Sequence, residues 1–156
     1  MDGNILQTIK DAAIGLLKEH DPETDVYAEE IMRTDGTLET KDEDGRRWYF
    51  VEVIPTSFTT AGPDLTEVAL TVSIDYHEPE ESIRRYGEKA IALDRALRPV
   101  FRFSHGGETR GITVARVSAN ISGGLLHLTF PLTFLVADEP EDLPMMEEIE
   151  TIIRKG

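Results

Sequence analysis

The sequence contains no cysteine. Disulfide bonds, thiolate metal sites and a cysteine nucleophile are therefore excluded together, and we expect the protein to work in the cytosol. No run of about 18 apolar residues is present, so no stretch has the composition of a membrane-spanning helix. Residues 1–20 also lack the basic start and the apolar block of a secretory signal, so we expect the protein to stay where it is made.

Basic residues are scarce and unevenly placed. The chain has 16 lysines and arginines against 30 aspartates and glutamates, a formal net charge of −14. This balance argues against nucleic-acid binding, which usually needs a basic surface. Residues 1–78 hold eighteen acids and six bases, a net of −12, whereas residues 84–116 hold eight bases and three acids, a net of +5. Two explanations stay open: solvated helix and strand surfaces, or contact between the basic part of one copy and the acidic part of a neighbour.

Apolar residues at helical spacing predict three helices, over residues 3–19, 80–98 and 142–154. We expect the second helix to begin at Pro79-Glu80-Glu81-Ser82, with acids in its first turn and arginines in its last. The predicted buried stripe of the first helix is Ile5, Ile9, Ala12 and Leu16, with Leu6, Ala13 and Leu17 beside it. The predicted stripe of the second helix is Ile83, Tyr86, Ala90, Leu93 and Leu97.

Alternating and β-branched runs predict the strands. They cover residues 26–31, 48–54, 67–76, 100–103, 111–122 and 125–136, with Pro55 ending the second strand and loops over 33–47, 56–66 and 104–110. Gly123-Gly124 suits a tight hairpin turn between the last two strands. Pro131 cannot donate a ladder hydrogen bond, so we expect an edge position or a bulge there.

The order of these elements predicts the fold class. Strands that cluster, instead of alternating with helices, indicate an α+β protein with a mainly antiparallel sheet. We expect a sheet of about five or six strands packed against two or three helices. The 156 residues, 40% of them hydrophobic, suffice for one core, so residues 1–156 are expected to form one domain.

Known catalytic and metal sites do not match this sequence. Asp42 and Asp44 could occupy the third and fifth positions of an EF-hand calcium loop. Such a loop would begin at Thr40 and end at Val51, so its first ligand and its final glutamate are missing. The four histidines lack the i, i+4 pairing of a helical zinc site. Carboxylates occur in runs, which are usually solvated, and general acid–base catalysis needs a perturbed group in a cleft. We expect no catalytic residue, metal or cofactor.

Glycine-rich motifs also lack their partners. His105-Gly106-Gly107 is similar to the oxyanion loop of esterases, but no G-x-S-x-G nucleophile elbow accompanies it. The same glycines lack the Gly-Lys-Ser/Thr ending of a phosphate-binding loop. Gly106-Gly107 is therefore interpreted as a flexible turn.

Several segments resemble the tail terminator, or tail-completion, proteins of long-tailed phages and phage-like elements. The resemblance covers most of the chain and rests on the following segments: the first helix with Val26–Ile31, the strand Tyr49–Val53, Ser73–His77 running into the second helix, and the final hairpin with its Met-Met-Glu-Glu-Ile helix. The loop over 33–47 is longer and more acidic than the family leads us to expect.

The resemblance implies a structural role. Members of this family form rings, generally hexamers, that cap the tail tube, stop its polymerisation and join tail to head. The implied partners are copies of the chain itself, the tail tube protein and a head-tail connector protein, with no specific nucleic-acid or membrane binding. The implied location is the host cytoplasm during assembly and then the virion tail.

Under this hypothesis the charged residues have separate roles. Basic residues would contact the carboxylates of a neighbouring subunit, and acids would line the lumen, where they repel DNA phosphates. The candidate interface residues are Arg84, Arg85, Arg98, Arg102, Arg110, Arg116 and His127. The candidate residues of an acidic lumen or loop are Asp35, Glu39, Asp42, Glu43 and Asp44.

Two other classes of function stay open. A monomeric or dimeric ligand-binding or regulatory α+β domain would use a groove between sheet and helices. A hydrolase would need a cleft with convergent carboxylates.

Overall fold

The computed structural model describes residues 5–28, 46–80 and 82–137. Within these ranges the chain forms two helices and seven strands, and each helix is followed by a group of strands. In chain order the elements are α1 (Ile5–His20), β1 (Asp25–Ala28), β2 (Trp48–Gly62), β3 (Leu65–His77), α2 (Ile83–Leu97), β4 (Val100–His105), β5 (Glu108–Thr113), β6 (Ser118–Ser122) and β7 (Leu125–Ala137). No helix among the described residues is long and apolar enough to cross a membrane.

The main sheet has five strands in the order β1-β2-β3-β7-β6. Only the β1–β2 pair is parallel, and β2–β3, β3–β7 and β6–β7 are antiparallel. Strands β4 and β5 form a separate two-stranded antiparallel sheet. The fold is α+β with a mainly antiparallel sheet, which confirms the predicted class.

One face of the main sheet carries the core. Along β3 the buried side chains are Val68, Leu70, Val72, Ile74 and Tyr76, and their neighbours in sequence face the other way. β7 shows the same alternation, as predicted. Helices α1 and α2 bury their apolar sides in this same core, and the β4–β5 hairpin closes it, with the Phe103 ring 6.0 Å from that of Phe134.

The helices differ from the sequence prediction at their edges. The fully buried row of α1 is Ile5, Ile9, Ala13 and Leu17, so Ala12 and Leu16 lie beside the row instead of in it. Helix α2 begins at Ile83, because the Ser82 side chain accepts a hydrogen bond from the Arg85 backbone and caps the helix. Its first turn holds no acid, and Ile83 is 79% exposed, so both predictions were wrong there.

Three strand boundaries also differ. β2 runs through Pro55 to Gly62, because β3 pairs with it on both sides of Pro55. On its outer edge the described residues pair β2 with β1 only as far as Val51, and a register shift follows Pro55. A proline is tolerated at such an edge. The expected loop over 104–110 is a hairpin turned by Gly106 and Gly107, both at positive φ.

The predicted strand over 111–122 is two strands in two different sheets. β5 pairs with β4 and β6 pairs with β7, with residues 114–117 between them. The Val114 backbone amide donates to the Pro99 carbonyl, 2.8 Å away, where the chain crosses between the two sheets. Gly123 and Gly124 turn the β6–β7 hairpin at positive φ, as predicted.

Pro131 lies in the half of β7 that has β3 as its one described partner, because β6 pairs only as far as Thr129. No bulge occurs there. β7 as a whole is an inner strand between β3 and β6, and the expectation of an edge holds only for the stretch around Pro131, which lies beyond the residues that β6 pairs with. The predicted helix over 142–154 and most of the acidic loop 33–47 lie outside the described residues.

Candidate interface surfaces and a buried polar network

The arginines of α2 and its C-terminal cap are engaged within the chain to different degrees. Arg98 forms a bidentate pair with Asp94, with N···O distances of 2.5 and 2.9 Å. The Arg98 hydrogen bond holds the pKa of the Asp94 carboxyl below its usual value. Arg84 lies on the open side of α2, 4.0 Å from Glu88 and largely exposed. Among Arg84, Arg85 and Arg98, Arg84 is therefore the one whose charge is most available to another molecule.

Arg85 binds inside the chain. Its guanidinium lies 3.4 Å from the buried Glu78 carboxylate and 2.8 Å from Glu80. Arg47, just before β2, approaches the same Glu78 oxygen at 3.1 Å. The Glu78 carboxylate raises the pKa of Arg47 by Coulombic attraction. Arg85 thus holds the start of α2 against the end of β3.

The remaining predicted arginines lie around the small sheet. Arg110 donates to the Leu135 carbonyl at 2.9 Å, and its guanidinium carbon lies 5.9 and 5.7 Å from the centres of the Phe103 and Phe134 rings. It therefore fastens the β4–β5 hairpin to the edge of β7. Arg102 on β4 and Arg116 between β5 and β6 are exposed and form no ion pair with any described residue.

His127 points away from the core, as its strand position predicts. Its Nδ1 lies 2.6 Å from an Asp75 carboxylate oxygen and its Nε2 lies 3.1 Å from the Ser122 carbonyl oxygen. Both neighbouring atoms are hydrogen-bond acceptors, so a ring N–H can donate to either one. The side chain is 30% exposed, and it locks the β6–β7 turn to the outer face of the sheet.

The acidic candidates Asp35, Glu39, Asp42, Glu43 and Asp44 lie outside the described residues. These acids and the candidate arginines were selected by charge alone. That the acids line a lumen and that the arginines contact a neighbouring subunit are predictions.

A buried polar network was missed by the sequence analysis. Asp21, which follows α1, accepts hydrogen bonds from Lys89 of α2 at 2.7 Å and from the Tyr49 hydroxyl of β2 at 2.9 Å. The Lys89 ammonium also lies 4.8 Å from the centre of the Tyr76 ring. The Tyr76 hydroxyl in turn donates to Glu78. One chain of contacts therefore joins both helices to the two central strands.

The titration of these groups follows from their surroundings. Burial raises the pKa of the Asp21 carboxyl, but hydrogen bonds from Lys89 and Tyr49 outweigh it, and the pKa lies below its usual value. Burial, with the hydrogen bond to Asp21, raises the pKa of Tyr49 far above its usual value. Burial and the hydrogen bond to Glu78 do the same for Tyr76. Both tyrosines stay protonated donors, and both carboxylates face cations of the same chain.

Tyr86 extends this network to the β6–β7 turn. Its hydroxyl donates to the Gly124 carbonyl at 2.7 Å and accepts from the Glu78 backbone amide at 3.2 Å. Its ring lies edge-on to Tyr76, with centroids 6.1 Å apart. Part of the sequence signal was present, since Tyr86 was assigned to the buried stripe of the second helix, but periodicity does not reveal the partner of a hydroxyl group.

The described surface also contains a groove of about 710 Å³ between α1 and β4. Its walls include Asp11 and Glu19 of α1 and Arg102 of β4, over a floor of Leu16 and Phe103. Among the residues described here, no three histidines or acids converge in a way that would hold a metal ion.

Together these features define the class: an α+β protein in which the buried Glu78 and the partly buried Asp21 and Lys89 are bound by partners of the same chain. The family model described as "Phage tail terminator protein" matches residues 8–144. The chain belongs to the phage tail terminator family. It is therefore a structural protein of the phage tail that associates with other components of the virion.

The comparison with solved structures supports the fold. One of seven matching chains has 17% sequence identity and a TM-score of 0.52, and the alignment covers 90% of this chain and 99% of that one. At this identity the likeness shows the fold alone. No curated protein matches the sequence significantly.

Proposed function

We propose that copies of this chain, each a single domain, form a hexameric ring that caps the tail tube, stops its polymerisation and joins the tail to the head. The observation that carries this proposal is the family match over residues 8–144. The tail tube protein and a head-tail connector protein are the partners on the two faces of the ring. Assembly takes place in the host cytoplasm, and the ring then stays in the virion.

The charge distribution supports this role. A net charge of −14 disfavours retention of DNA phosphates, as suits a ring through which DNA passes. The acids Asp35, Glu39, Asp42, Glu43 and Asp44 are proposed to line the lumen. Arginines of residues 84–116 are proposed to contact neighbouring subunits, and Arg84, Arg95, Arg102 and Arg116 are exposed enough to do so.

We also propose that the protein is not an enzyme. The most concentrated set of titratable groups among the described residues is the network around Asp21 and Glu78. Its carboxylates are bound by Lys89, Arg47 and Arg85, which supports a role in holding the fold. Catalytic groups, by contrast, are usually placed to reach a substrate in a cleft.

The direct test uses electron microscopy of phage lysates. Without this protein, tails are expected to vary in length and to lack attached heads, because nothing stops the tube or links it to the head. Negative-stain images and native mass spectrometry of the purified protein should show a ring with a mass that is a multiple of the chain mass. Tails of normal length with heads attached, in lysates without the protein, would refute the proposal.

The groove between α1 and β4 favours one alternative, a monomeric or dimeric ligand-binding or regulatory domain. A ligand that binds the native state raises the melting temperature. A thermal-shift screen of metabolites tests this alternative. A melting temperature that rises for wild type, and no longer rises for a Leu16→Trp variant that fills the groove, would support it.

A further inference from the structure

The large apolar side chains that the described part of the chain exposes fall into two groups. One group surrounds the far end of the long β2–β3 hairpin, and the other lies on α2 and on β6, which is one of the strands that α2 contacts. The first group is Ile54, Phe58, Leu65 and Leu135, and the second is Ile83, Ile91 and Ile121.

The first group includes an apolar patch on the outer face of the sheet. Strand pairing places Ile54, Leu65 and Leu135 on the face opposite the core, each 39–47% exposed. Glu67 pairs directly with Leu135, and Asp64 lies in the turn next to Leu65. Residues 48–83 contain no lysine or arginine. We call the following five residues the arm patch: Ile54, Asp64, Leu65, Glu67 and Leu135. The patch is apolar and acidic, and Arg110 of β5 lies at its border, where it donates to the Leu135 carbonyl.

The second group centres on the outer side of α2. Ile83, Gly87 and Ile91 follow one another at i, i+4 spacing and therefore form a stripe along the helix. Arg84 and Arg95 flank this stripe, and both are exposed. Ile83 and Ile91 are 79% and 57% exposed. These five residues form the helix patch, which is apolar and carries two arginines. Glu88, 4.0 Å from Arg84, lies beside it, so the charge of this region is basic on balance, in contrast to the arm patch.

The two patches lie toward opposite ends of the sheet. Leu65 begins β3 at the arm end, whereas Tyr86, in the first turn of α2, contacts Glu78 just beyond the other end of β3. A strand of 13 residues spans about 40 Å at a rise of about 3.4 Å per residue. One copy therefore cannot bring its own arm patch onto its own helix patch. Two copies can.

We propose that the arm patch of one copy docks on the helix patch of a second copy, in a head-to-tail contact. Burial removes exposed apolar surface on both sides, and Asp64 and Glu67 approach Arg84 and Arg95. A contact between two different surfaces repeats from copy to copy and closes into a ring when the rotation allows it. The inference rests on the proposed function, because it names the surfaces by which ring subunits meet.

A charge-swap experiment tests the contact. Glu67→Lys and Arg84→Glu each place like charges opposite one another, and each is expected to raise the concentration needed for assembly by about tenfold. The double variant in one chain, and an equimolar mixture of the two single variants, restore opposite charges at every contact. Both should therefore assemble like wild type. Light scattering and native mass spectrometry measure the assembled fraction.

Matched controls reverse exposed charges elsewhere. Lys18→Glu on α1 and Glu108→Lys on β5 change the net charge as the test variants do, but lie outside both patches. They should assemble within about twofold of wild type, since non-contacting surface charges contribute little. Circular dichroism confirms that each variant is folded.

The absence of native cysteine allows a second, covalent readout. Ile83→Cys and Leu135→Cys are made in separate chains. In a head-to-tail contact, neither variant alone forms disulfide-linked dimers, whereas their mixture does. The chain carrying both substitutions should give a ladder of linked species that ends at the ring size. The readout captures weak contacts that dilution would break, and it is run with and without tail tubes.

The outcomes separate the two proposals. Rings that persist unchanged in Glu67→Lys and Arg84→Glu, or single-cysteine variants that link as efficiently as the mixture, overturn the docking contact and leave the ring proposal standing. Wild-type chains that stay monomeric alone and on tail tubes overturn both. Weakened assembly in both single variants, restored in the double variant and the mixture, supports the contact.

Discussion

Replacement of Tyr86 by Phe isolates one hydroxyl at the junction of α2, β3 and the β6–β7 turn. The Tyr86 side chain is 2% exposed, and its ring packs edge-on to Tyr76, a contact that Phe preserves. The hydroxyl donates to Gly124 and accepts from the Glu78 amide. The substitution therefore changes hydrogen bonding and leaves packing almost intact.

The expected loss follows from what each partner does without the hydroxyl. The Glu78 amide lies at a buried residue, so leaving it unpaired costs about 1–3 kcal/mol. Gly124 is partly exposed, so water replaces the bond to its carbonyl at smaller cost. We expect a loss of about 2 kcal/mol in the free energy of unfolding. For a chain of this length, that corresponds to a fall in melting temperature of roughly 4–8 °C.

Urea and thermal unfolding, followed by circular dichroism, measure this change. Thr133→Val is the matched control, because it removes a hydroxyl from an exposed strand position and should change the free energy by less than about 0.5 kcal/mol. Hydrogen exchange should also show faster opening of the β6–β7 turn in Tyr86→Phe. A variant that unfolds within about 0.5 kcal/mol of wild type would refute the role given to this hydroxyl.

Three further substitutions test other parts of the fold. Asp21→Asn should lower the free energy of unfolding at neutral pH and weaken its dependence on acid pH. The pKa of Asp21 is lower in the folded than in the unfolded chain. The stability that the Asp21 carboxylate contributes is therefore present above the unfolded pKa and is lost as the pH falls through the folded pKa. Unfolding titrations from pH 2 to 7 measure this, and an unchanged acid limb would contradict it. Gly111→Ala should destabilise by about 1–3 kcal/mol, because the added Cβ would lie 2.9 Å from a Val100 methyl carbon; equal urea midpoints for variant and wild type would speak against this close approach. Gly15→Ala on α1 meets no atom within 4 Å and should stabilise by about 0.5–1 kcal/mol, as a rise in melting temperature, whereas a fall would mean that the helix tolerates no side chain there.

Periodicity predicted the elements in which one face is buried. The alternation of Val68 to Tyr76, and that of Leu126 to Val136, is enforced by a core on one side of the sheet, so both strands were identified almost to their ends. The Gly123-Gly124 turn was equally predictable, because adjacent glycines between two strands favour a tight hairpin turn. The structure places both glycines at positive φ. These local rules suffice for the fold class.

Features that depend on a partner distant in sequence were not predictable. Pro55 looked like a strand end, yet β2 continues because β3 pairs with it along its whole length. The run over 111–122 carries no mark of its division between two sheets. Ile83 fits the helical stripe by spacing, but α2 starts there and turns it outward. In each case the boundary of the element is set by the elements that pack against it.

The polar network shows the same limit for the site. Asp21 and Lys89 are 68 positions apart, and nothing in the sequence near either residue indicates the other. Charge counting correctly separated an acidic from a basic segment, but it treated the arginines alike. The structure distinguishes Arg85 and Arg110, which are bound within the chain, from the exposed Arg102 and Arg116 and from Arg84, which contacts only the exposed Glu88 among the described residues.

The outer edge of β2 has a consequence for the period before a subunit meets its partners. Beyond Val51 the described residues pair this edge with no second strand. A straight edge of that kind would offer amide and carbonyl groups to any extended chain nearby and could seed fibres. Pro55 removes one of those donors, and register shifts after Pro55 and Thr60 bend the strand out of line. We therefore expect newly made chains to reach high concentration without aggregating through this strand, so that they remain able to assemble.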